Sequence, residues 1–261
     1  MKIIDIHTHI YPDEIAQKAT ESVKNFYQIG GSDMSGTVGM LLERGKEAGI
    51  DRFVVLPVAI RPDRVRGIND YIYNEVTRHP ELIGFGAVHA AMEGLEDEVE
   101  RIAALGLKGI KMHPDSQRFA IDDIRLYPMY EAARGRLPVL IHMGDHRYDY
   151  SHPVKLRKIL DQFPGLQVIA AHFGGHTMYE LACDLLKDTQ CILDISSTLM
   201  CMKEGDAERY INIYGAERMA FGSDYPMWDP VTEVEAFMNL KLTWEQKEQM
   251  AWKTAAHVLK L

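Results

Sequence analysis

Short apolar runs recur along the chain at a nearly constant interval. Each run is five to seven residues long, rich in Val, Ile and Leu, and bounded by Gly, Pro or charged residues. Such runs are typical of buried β-strands. The eight runs are 2–7, 52–58, 83–88, 107–113, 137–143, 167–172, 191–195 and 219–224. From the second run onward, successive runs start 24 to 31 residues apart.

Amphipathic segments occupy the intervals between these runs. Four clear examples are 94–105, 124–135, 153–163 and 176–187. Strands that alternate with helices at this period indicate right-handed βαβ units and a parallel sheet. Eight such strands in about 250 residues predict an α/β protein with the (β/α)₈ TIM-barrel fold.

The first connection is longer than the others and carries two helical patterns. These cover 13–27 and 37–48, on either side of the loop Gly30-Gly31-Ser32. We interpret this extended, helical first β-to-α-to-β connection as an insertion near the mouth of the barrel. The tail, 230–240 and 243–260, predicts a last helix pair. No linker or low-complexity tract divides the chain, so residues 1–261 are predicted to form one domain.

A doubly wound sheet is the competing architecture. It would need a glycine-rich phosphate-binding turn after an early strand, and no such turn follows 2–7 or 52–58. Gly84-Phe85-Gly86 lies inside a strand pattern and lacks the third glycine. We therefore interpret these glycines as sites of close packing.

Composition and charge exclude several classes of partner. The formal charge of −9, without a basic run, argues against nucleic-acid binding. No apolar stretch approaches the roughly 20 residues that span a bilayer. Residues 1–7 already resemble a strand and leave no room for a signal peptide, and the three cysteines form no CxxC. These features predict a cytoplasmic protein without membrane or nucleic-acid partners.

Histidine is abundant, with eleven residues, and its placement is informative. Five predicted strands end in His, Lys or Asp, and a TIM barrel carries its active site at the carboxyl ends of its strands. The strand ends are His7-Thr8-His9, Lys111-Met112-His113, His142, His172 and Asp224.

Strand parity predicts which of these side chains face each other. Alternate residues of a strand point the same way, so His7 and His9 share a face. Both can bind the same ion, while His142 and Asp224 would complete its ligands from the other side of the barrel. Three imidazoles and a carboxylate suit Zn²⁺, or else Mn²⁺ or Co²⁺, with a position left for water.

The same residues stand in motifs that resemble a known family. The order DIHTHIYP (5–12), GIKMHPD (109–115), LIHMGD (140–145), AAHFGG (170–175) and FGSDYP (221–226) resembles the amidohydrolase superfamily. More narrowly, it is similar to the amidohydrolase-related branch of metal-dependent TIM-barrel hydrolases. This branch includes the aminocarboxymuconate semialdehyde decarboxylase-like enzymes.

The resemblance implies roles for individual residues. It implies that His7, His9, His142 and Asp224 bind the metal. His172 would lie beside the metal-bound water and act as acid and base, and Asp224 could share the base role while it binds the metal. A divalent ion lowers the pKa of bound water from about 15.7 towards about 7, which supplies hydroxide at neutral pH.

Lys111 leaves the number of ions open. Binuclear members of the superfamily bridge two metals through a carboxylated lysine on the same strand. Alternatively, Lys111 stays charged and orients an acidic residue or the substrate. We favour one ion over two.

Two further residues are candidates for substrate binding. Arg147 could hold a substrate carboxylate in a fork geometry, or it could instead pair with Asp145 or Asp149. His113 shares a face with Lys111 and could line the pocket, or it could be a hydrogen-bonded core histidine.

The sequence thus predicts a metal-dependent hydrolase that acts on a small carboxylate-bearing amide or lactone through a metal-activated water. The first alternative is a non-oxidative decarboxylase of the same branch. The second is a non-catalytic barrel that binds a metal or metabolite. A homodimer is expected only because twofold assemblies are common.

Overall fold

Parallel strands alternate with helices along the chain, as the strand period predicts. The computed structural model describes residues 1–30 and 33–261, so the middle and end of the predicted Gly30-Gly31-Ser32 loop lie outside the described residues. In the described part, the strands are β1 (Ile4–Thr8), β2 (Arg52–Val55), β3 (Leu82–Gly84), β4 (Gly86–Ala87), β5 (Ile110–Met112), β6 (Val139–Ile141), β7 (Val168–Ala170), β8 (Ile192–Asp194) and β9 (Met219–Ala220).

The helices occupy the intervals that the amphipathic patterns mark. They are α1 (Asp13–Tyr27), α2 (Val38–Ala48), α3 (Val65–Arg78), α4 (Leu95–Ala104), α5 (Pro114–Gln117), α6 (Tyr127–Ala133), α7 (Pro153–Gln162), α8 (Tyr179–Leu186), α9 (Asp206–Tyr214), α10 (Pro230–Asn239), α11 (Trp244–Glu248) and α12 (Thr254–Leu259). A π-helical turn, Gln249–Lys253, joins the last two. None of the helices in the described ranges is long and apolar enough to cross a membrane.

The third predicted strand differs from its prediction, because it is divided at Phe85. β3 pairs with β2, whereas β4 pairs with β5. The backbone still bridges both neighbours, since Phe85 N donates to Val55 O at 3.1 Å and Gly86 N donates to Gly109 O at 2.9 Å. The eight predicted strands therefore appear as nine short segments in eight positions of the barrel.

The glycines beside Phe85 are sites of close packing, as predicted. A Cβ atom at Gly84 would lie 2.6 Å from Leu107 Cδ2, and one at Gly86 would lie 2.5 Å from Ile102 Cδ1. Real Cβ atoms do not approach carbon so closely, so helix α4 and the turn after it can pack on this strand only where it carries glycine.

The barrel closes between β1 and the segment that follows β9. Ile6 N donates to Phe221 O at 2.9 Å, and Asp224 N donates to His7 O at 2.8 Å. First and last strands are thereby neighbours, and the fold is the predicted (β/α)₈ barrel. The closure has a consequence for function, because it places the histidines of β1 next to Asp224.

Apolar side chains fill the barrel and also the layer between strands and helices. The interior cluster includes Ile6, Leu140 and Ile169, and helix α12 contributes Val258 and Leu259 to it. A larger cluster lies between the strands and the surrounding helices. The buried histidines His7, His142 and His172 lie at the other end of the barrel, where the strands end.

The inserted helices lie at that polar end. Tyr11 N donates to Gly36 O at 2.9 Å, and Tyr225 Oη donates to Thr37 O at 2.9 Å. The first bond joins the two sides of the insertion, and the second joins the insertion to the segment after the last strand. The last residue of α1, Tyr27, reaches the strand ends themselves.

Candidate metal centre and its surroundings

Three of the four predicted metal ligands form one group at the carboxyl ends of the strands. His7 and His9 come from β1 and the turn after it, and Asp224 follows β9. Asp224 Oδ1 lies 3.5 Å from His7 Nε2 and 3.4 Å from His9 Nε2. One donor atom from each residue lies within 4.8 Å of the other two. We call these three residues the HHD group.

A register shift in β1 brings both histidines to the inside. The pairing with β2 changes between Asp5 and Thr8. Ile6 packs inside the barrel, yet its neighbour His7 also reaches the interior, where its Nε2 lies 3.2 Å from Lys111 Nζ. Strict alternation would place neighbouring residues on opposite faces, so the shift is what adds His7 to the site.

The protonation of both imidazoles suits metal binding. His9 Nδ1 lies 2.6 Å from the carbonyl oxygen of Leu56, so Nδ1 carries the hydrogen and Nε2 keeps a free lone pair. His7 Nδ1 lies 2.8 Å from Asp194 Oδ2 and is fixed in the same way. Two imidazole nitrogens and a carboxylate oxygen, each oriented from behind by a partner, fit a divalent transition-metal ion.

Asp194 is a residue of this site that the sequence patterns did not single out. It is fully buried, and it accepts hydrogen bonds from His172 N at 3.0 Å and from Ser196 Oγ at 2.5 Å, besides the bond from His7. Burial alone would raise the pKa of Asp194, but the imidazole of His7 and its hydrogen bond hold it well below its usual range. The signal was available, since Asp194 lies near the end of the predicted strand 191–195.

Asp224 has a second set of partners. Ser197 Oγ donates to Asp224 Oδ2, and Trp228 Nε1 donates to Ser197 Oγ at 2.7 Å. Burial would raise the pKa of Asp224, yet His7 and His9 keep it well below its usual range. Asp224 is therefore an anion, as a metal ligand must be.

Lys111 lies directly beside the HHD group. Its side chain is buried, and burial lowers the pKa of the ammonium to about 8, although Asp224 and Asp194 oppose the shift. The position agrees with either predicted role, because a charged Lys111 would face substrate or acid and a carboxylated one would face the metal.

His142 lies outside the HHD group. It forms a second group with His113 and Asp115, again with donor atoms within 4.8 Å. His142 Nε2 is 3.8 Å from Asp115 Oδ2, and the rings of His113 and His142 are stacked with centroids 4.0 Å apart. The assignment of His142 as the fourth ligand of the same ion thus stays a prediction.

His172 links the two groups. Its Nε2 lies 3.0 Å from His142 Nδ1, and its ring stacks on that of His7 with centroids 5.1 Å apart. The backbone turns sharply here, since His172 and Phe173 have φ values of 58° and 54°. Such conformations are costly for residues with a Cβ and are found at functional sites. The predicted acid and base therefore stands next to the HHD group.

Tyr27 is a second residue that the sequence reasoning missed. Its hydroxyl lies 2.6 Å from His113 Nε2 and 3.3 Å from His142 Nε2. Burial, and then the negative charges of Asp224 and Asp115, raise the pKa of Tyr27 well above its ordinary value, so the hydroxyl keeps its hydrogen. No strand-end signal could have found Tyr27, because it lies at the end of a helix.

Arg147 has a partner of its own. Its Nε and Nη2 donate to the two carboxylate oxygens of Asp145, at 2.9 and 2.6 Å, and its Nη1 donates to Phe26 O. This is the alternative that the sequence left open for Arg147. Its predicted contact with a substrate carboxylate stays a prediction.

Comparisons with known proteins give the family and agree with the barrel fold. The family model described as Amidohydrolase matches residues 4–261. A search of curated protein sequences gave no match. Among solved structures, an uncharacterised TIM-barrel protein of Bordetella bronchiseptica is 20% identical with a TM-score of 0.85, and the alignment covers 100% of this chain and 99% of that one.

Some of the similar structures contain manganese. A 5-carboxyvanillate decarboxylase of Novosphingobium aromaticivorans, with manganese and 4-hydroxy-3-methoxy-5-nitrobenzoic acid, is 17% identical, with a TM-score of 0.79 and coverage of 99% and 96%. A dihydroxybenzoic acid decarboxylase of Polaromonas sp., with manganese and the inhibitor 2-nitroresorcinol, is 15% identical, with a TM-score of 0.75 and coverage of 100% and 97%. At such identities the likeness is one of fold.

Proposed function

The chain belongs to the amidohydrolase family, and from this premise we propose that it is a metal-dependent, non-oxidative decarboxylase of a small hydroxylated aromatic carboxylate. One observation carries the proposal: the HHD group, His7, His9 and Asp224, lies at the mouth of a barrel that is similar over its whole length to manganese-containing decarboxylases. Hydrolysis of an amide or lactone, the first expectation from the sequence, has less support from these neighbours.

The residues present fit a single divalent ion. Nε2 of His7, Nε2 of His9 and Oδ1 of Asp224 would hold it, and His142 is the predicted fourth ligand. The mixed nitrogen and oxygen donors suit manganese as well as the zinc that the sequence favours. When bound, the ion supplies a Lewis-acid centre that binds substrate oxygens and stabilises developing negative charge.

The protein's own residues supply orientation and protons. Loss of CO₂ from an aromatic carboxylate needs a proton at the ring carbon that bears the carboxylate. The bond to the carboxylate then breaks, and its electron pair restores the aromatic ring. We infer that His172, the predicted acid and base, delivers this proton, while the Asp224 anion takes the base role that the sequence suggests for it. The ammonium of Lys111 attracts the substrate carboxylate into the same space.

The reaction is tested by measuring CO₂ release from hydroxybenzoates by the protein loaded with manganese or zinc, with the decarboxylated phenol identified by chromatography. Asp224→Asn should lower kcat/KM by about 100-fold or more, because it removes both a metal ligand and a proton holder. Asp161→Asn, an exposed position on α7, is the matched control and should retain activity.

The same preparations decide between the two reaction classes. Acid release from lactones or amides without CO₂ release would overturn the proposal in favour of hydrolysis. Elemental analysis should give about one ion per chain in the wild type, and substantially less in His9→Ala. His142→Ala tests the predicted fourth ligand in the same measurement.

A further inference from the structure

Tyr27 places a phenol between two imidazoles at the mouth of the barrel. It is the last residue of α1, in the long first connection, and its ring centroid lies about 6 Å from those of both His113 and His142 (6.0 and 5.8 Å). Its oxygen is much closer to His113 Nε2 than to His142 Nε2, at 2.6 against 3.3 Å.

The hydrogen bonds of His172 and His142 determine towards which group the Tyr27 hydroxyl donates. His172 Nδ1 lies 2.9 Å from the carbonyl oxygen of Ser196, so this nitrogen carries hydrogen and Nε2 accepts. His142 Nδ1, 3.0 Å from His172 Nε2, must then donate. In a neutral imidazole this leaves His142 Nε2 as an acceptor that faces the Tyr27 hydroxyl.

The hydrogen bonds of His113 are consistent with this donor direction. Ser116 N donates to His113 Nδ1 at 3.4 Å, so the hydrogen of the His113 ring is on Nε2 and donates to the Tyr27 oxygen. Tyr27 thus accepts from His113 and has its own O–H free to donate. At 3.3 Å, its bond to His142 is the longest in the chain from His113 to Ser196, and therefore the one a competing acceptor can replace most easily.

Arg147 holds the end of α1 in this place. Its guanidinium lies 4.7 Å from the ring centroid of Phe26 and 5.3 Å from that of Tyr27, and it also donates to Phe26 O. The fork with Asp145 fixes the guanidinium in turn. A cation that contacts two consecutive rings, which are nearly perpendicular to each other, restricts the position of the phenol.

We propose that Tyr27 is a specificity-determining residue that donates a hydrogen bond to an anionic oxygen on the substrate's aromatic ring, and that Arg147 is the positioning residue that holds Tyr27 for this contact. The substrate oxygen replaces His142 as the acceptor, while His113 continues to donate to the Tyr27 oxygen and strengthens its O–H as a donor. The inference rests on the proposed function for its substrate class only.

The first test is Tyr27→Phe, which removes the hydroxyl and keeps the ring that contacts Arg147. We expect 2-nitroresorcinol to bind the manganese-loaded variant about 10-fold more weakly than the wild type by calorimetry. For a hydroxybenzoate that is turned over, KM should rise by a similar factor while kcat changes less than about threefold. Unchanged metal content and melting temperature would show that the variant is intact.

The second test is Arg147→Lys, which keeps the charge and loses the planar fork with Asp145. It should weaken 2-nitroresorcinol binding several-fold in the wild type and have little further effect in Tyr27→Phe, because Arg147 acts through Tyr27. Arg125→Lys is a matched control, since Arg125 makes the same fork with the carboxylate two residues before it, Asp123. This control should bind like the wild type.

The outcomes separate this inference from the proposed function. Wild-type affinity of Tyr27→Phe for 2-nitroresorcinol, or no binding to the wild type at all, would overturn the role of Tyr27. An equal effect of Arg147→Lys in both backgrounds would overturn the role of Arg147. If no hydroxybenzoate loses CO₂ but the Tyr27-dependent binding remains, the proposed reaction fails and the role of Tyr27 stands.

Discussion

The imidazoles of the HHD group are oriented by groups that lie far away in the sequence. His7 is held by Asp194, 187 residues further along the chain, and His9 by the backbone carbonyl of Leu56. Each contact puts the hydrogen on Nδ1 and leaves Nε2 for a metal. Since such outer contacts typically change metal affinity 10–100-fold, Asp194 belongs to the site as much as the predicted ligands do.

Glu233 on α10 is a buried acid with a testable pH dependence. Only 4% of its surface is exposed, and among the described residues no cation pairs with it. Burial, with the charges of Asp224 and Asp5, raises its pKa to about 8. The folded protein therefore holds a proton on Glu233 at pH values where the unfolded chain, with a pKa near 4.5, has lost it.

This difference makes folding less favourable as pH rises from about 4.5 to about 8, by at most about 1.4 kcal/mol per pH unit. Glu233→Gln should remove that contribution, so its free energy of unfolding should fall less steeply than that of the wild type between pH 5 and 8. Denaturant titrations at several pH values measure both slopes. Glu235→Gln, at an exposed position of the same helix, is the control. Parallel slopes for wild type and Glu233→Gln would contradict the assignment.

At the scale of the elements, the sequence patterns predict where helices lie better than they predict whether a strand is continuous. The predicted helices 13–27 and 37–48 correspond to α1 and α2 nearly residue for residue. The run 83–88 is instead divided at Phe85. Apolar periodicity depends on the chain alone, whereas strand pairing depends on neighbours that a local pattern does not contain.

Packing between α2 and β2 yields a second prediction. A Cβ atom at Gly45 would lie 2.0 Å from Phe53 Cζ, whereas one at Gly39 in the same helix would meet nothing within 4 Å. Gly45→Ala should lower the melting temperature, because overpacking costs about 1–3 kcal/mol and outweighs a gain of up to about 1 kcal/mol in helix propensity.

Gly39→Ala is the matched control and should be neutral or slightly stabilising. Thermal unfolding followed by circular dichroism compares the two variants with the wild type. Equal stability of both variants would show that Phe53 moves aside without cost.

At the scale of the whole molecule, closure of the barrel and assembly of the HHD group are one event. The bonds that join β1 to the segment after β9 include one from Asp224 N to His7 O. His7 and Asp224 are thus far apart in the sequence and become neighbours only in the closed barrel. A metal that binds them should favour the folded state.

Metal binding should therefore raise the melting temperature. A ligand at 100 times its Kd contributes about 2.7 kcal/mol, and each kcal/mol shifts the melting temperature by about 2–4 °C in a protein of roughly this size. Addition of manganese or zinc to the metal-free protein should thus raise it by several degrees, and His9→Ala should lose this rise.

Leu259→Ala separates metal binding from general stability. Leu259 lies in the interior cluster at the far end of the barrel, so its truncation should cost about 2–5 kcal/mol. The rise in melting temperature on metal addition should remain in this variant. A rise of equal size in His9→Ala would contradict the placement of the metal in the HHD group.

The sequence by itself determined the barrel, the place of its insertion and the meeting of His7, His9 and Asp224. These follow from the strand period and from strand ends, because parallel strands present their carboxyl ends at one rim. Only the tertiary structure decided that His142 lies with His113 and Asp115, that Asp145 occupies the fork of Arg147, and that Asp194 and Tyr27 belong to the site. The reason is physical: these contacts depend on strand register, on a shift within β1 and on where an inserted helix ends, and none of these is encoded in a local pattern.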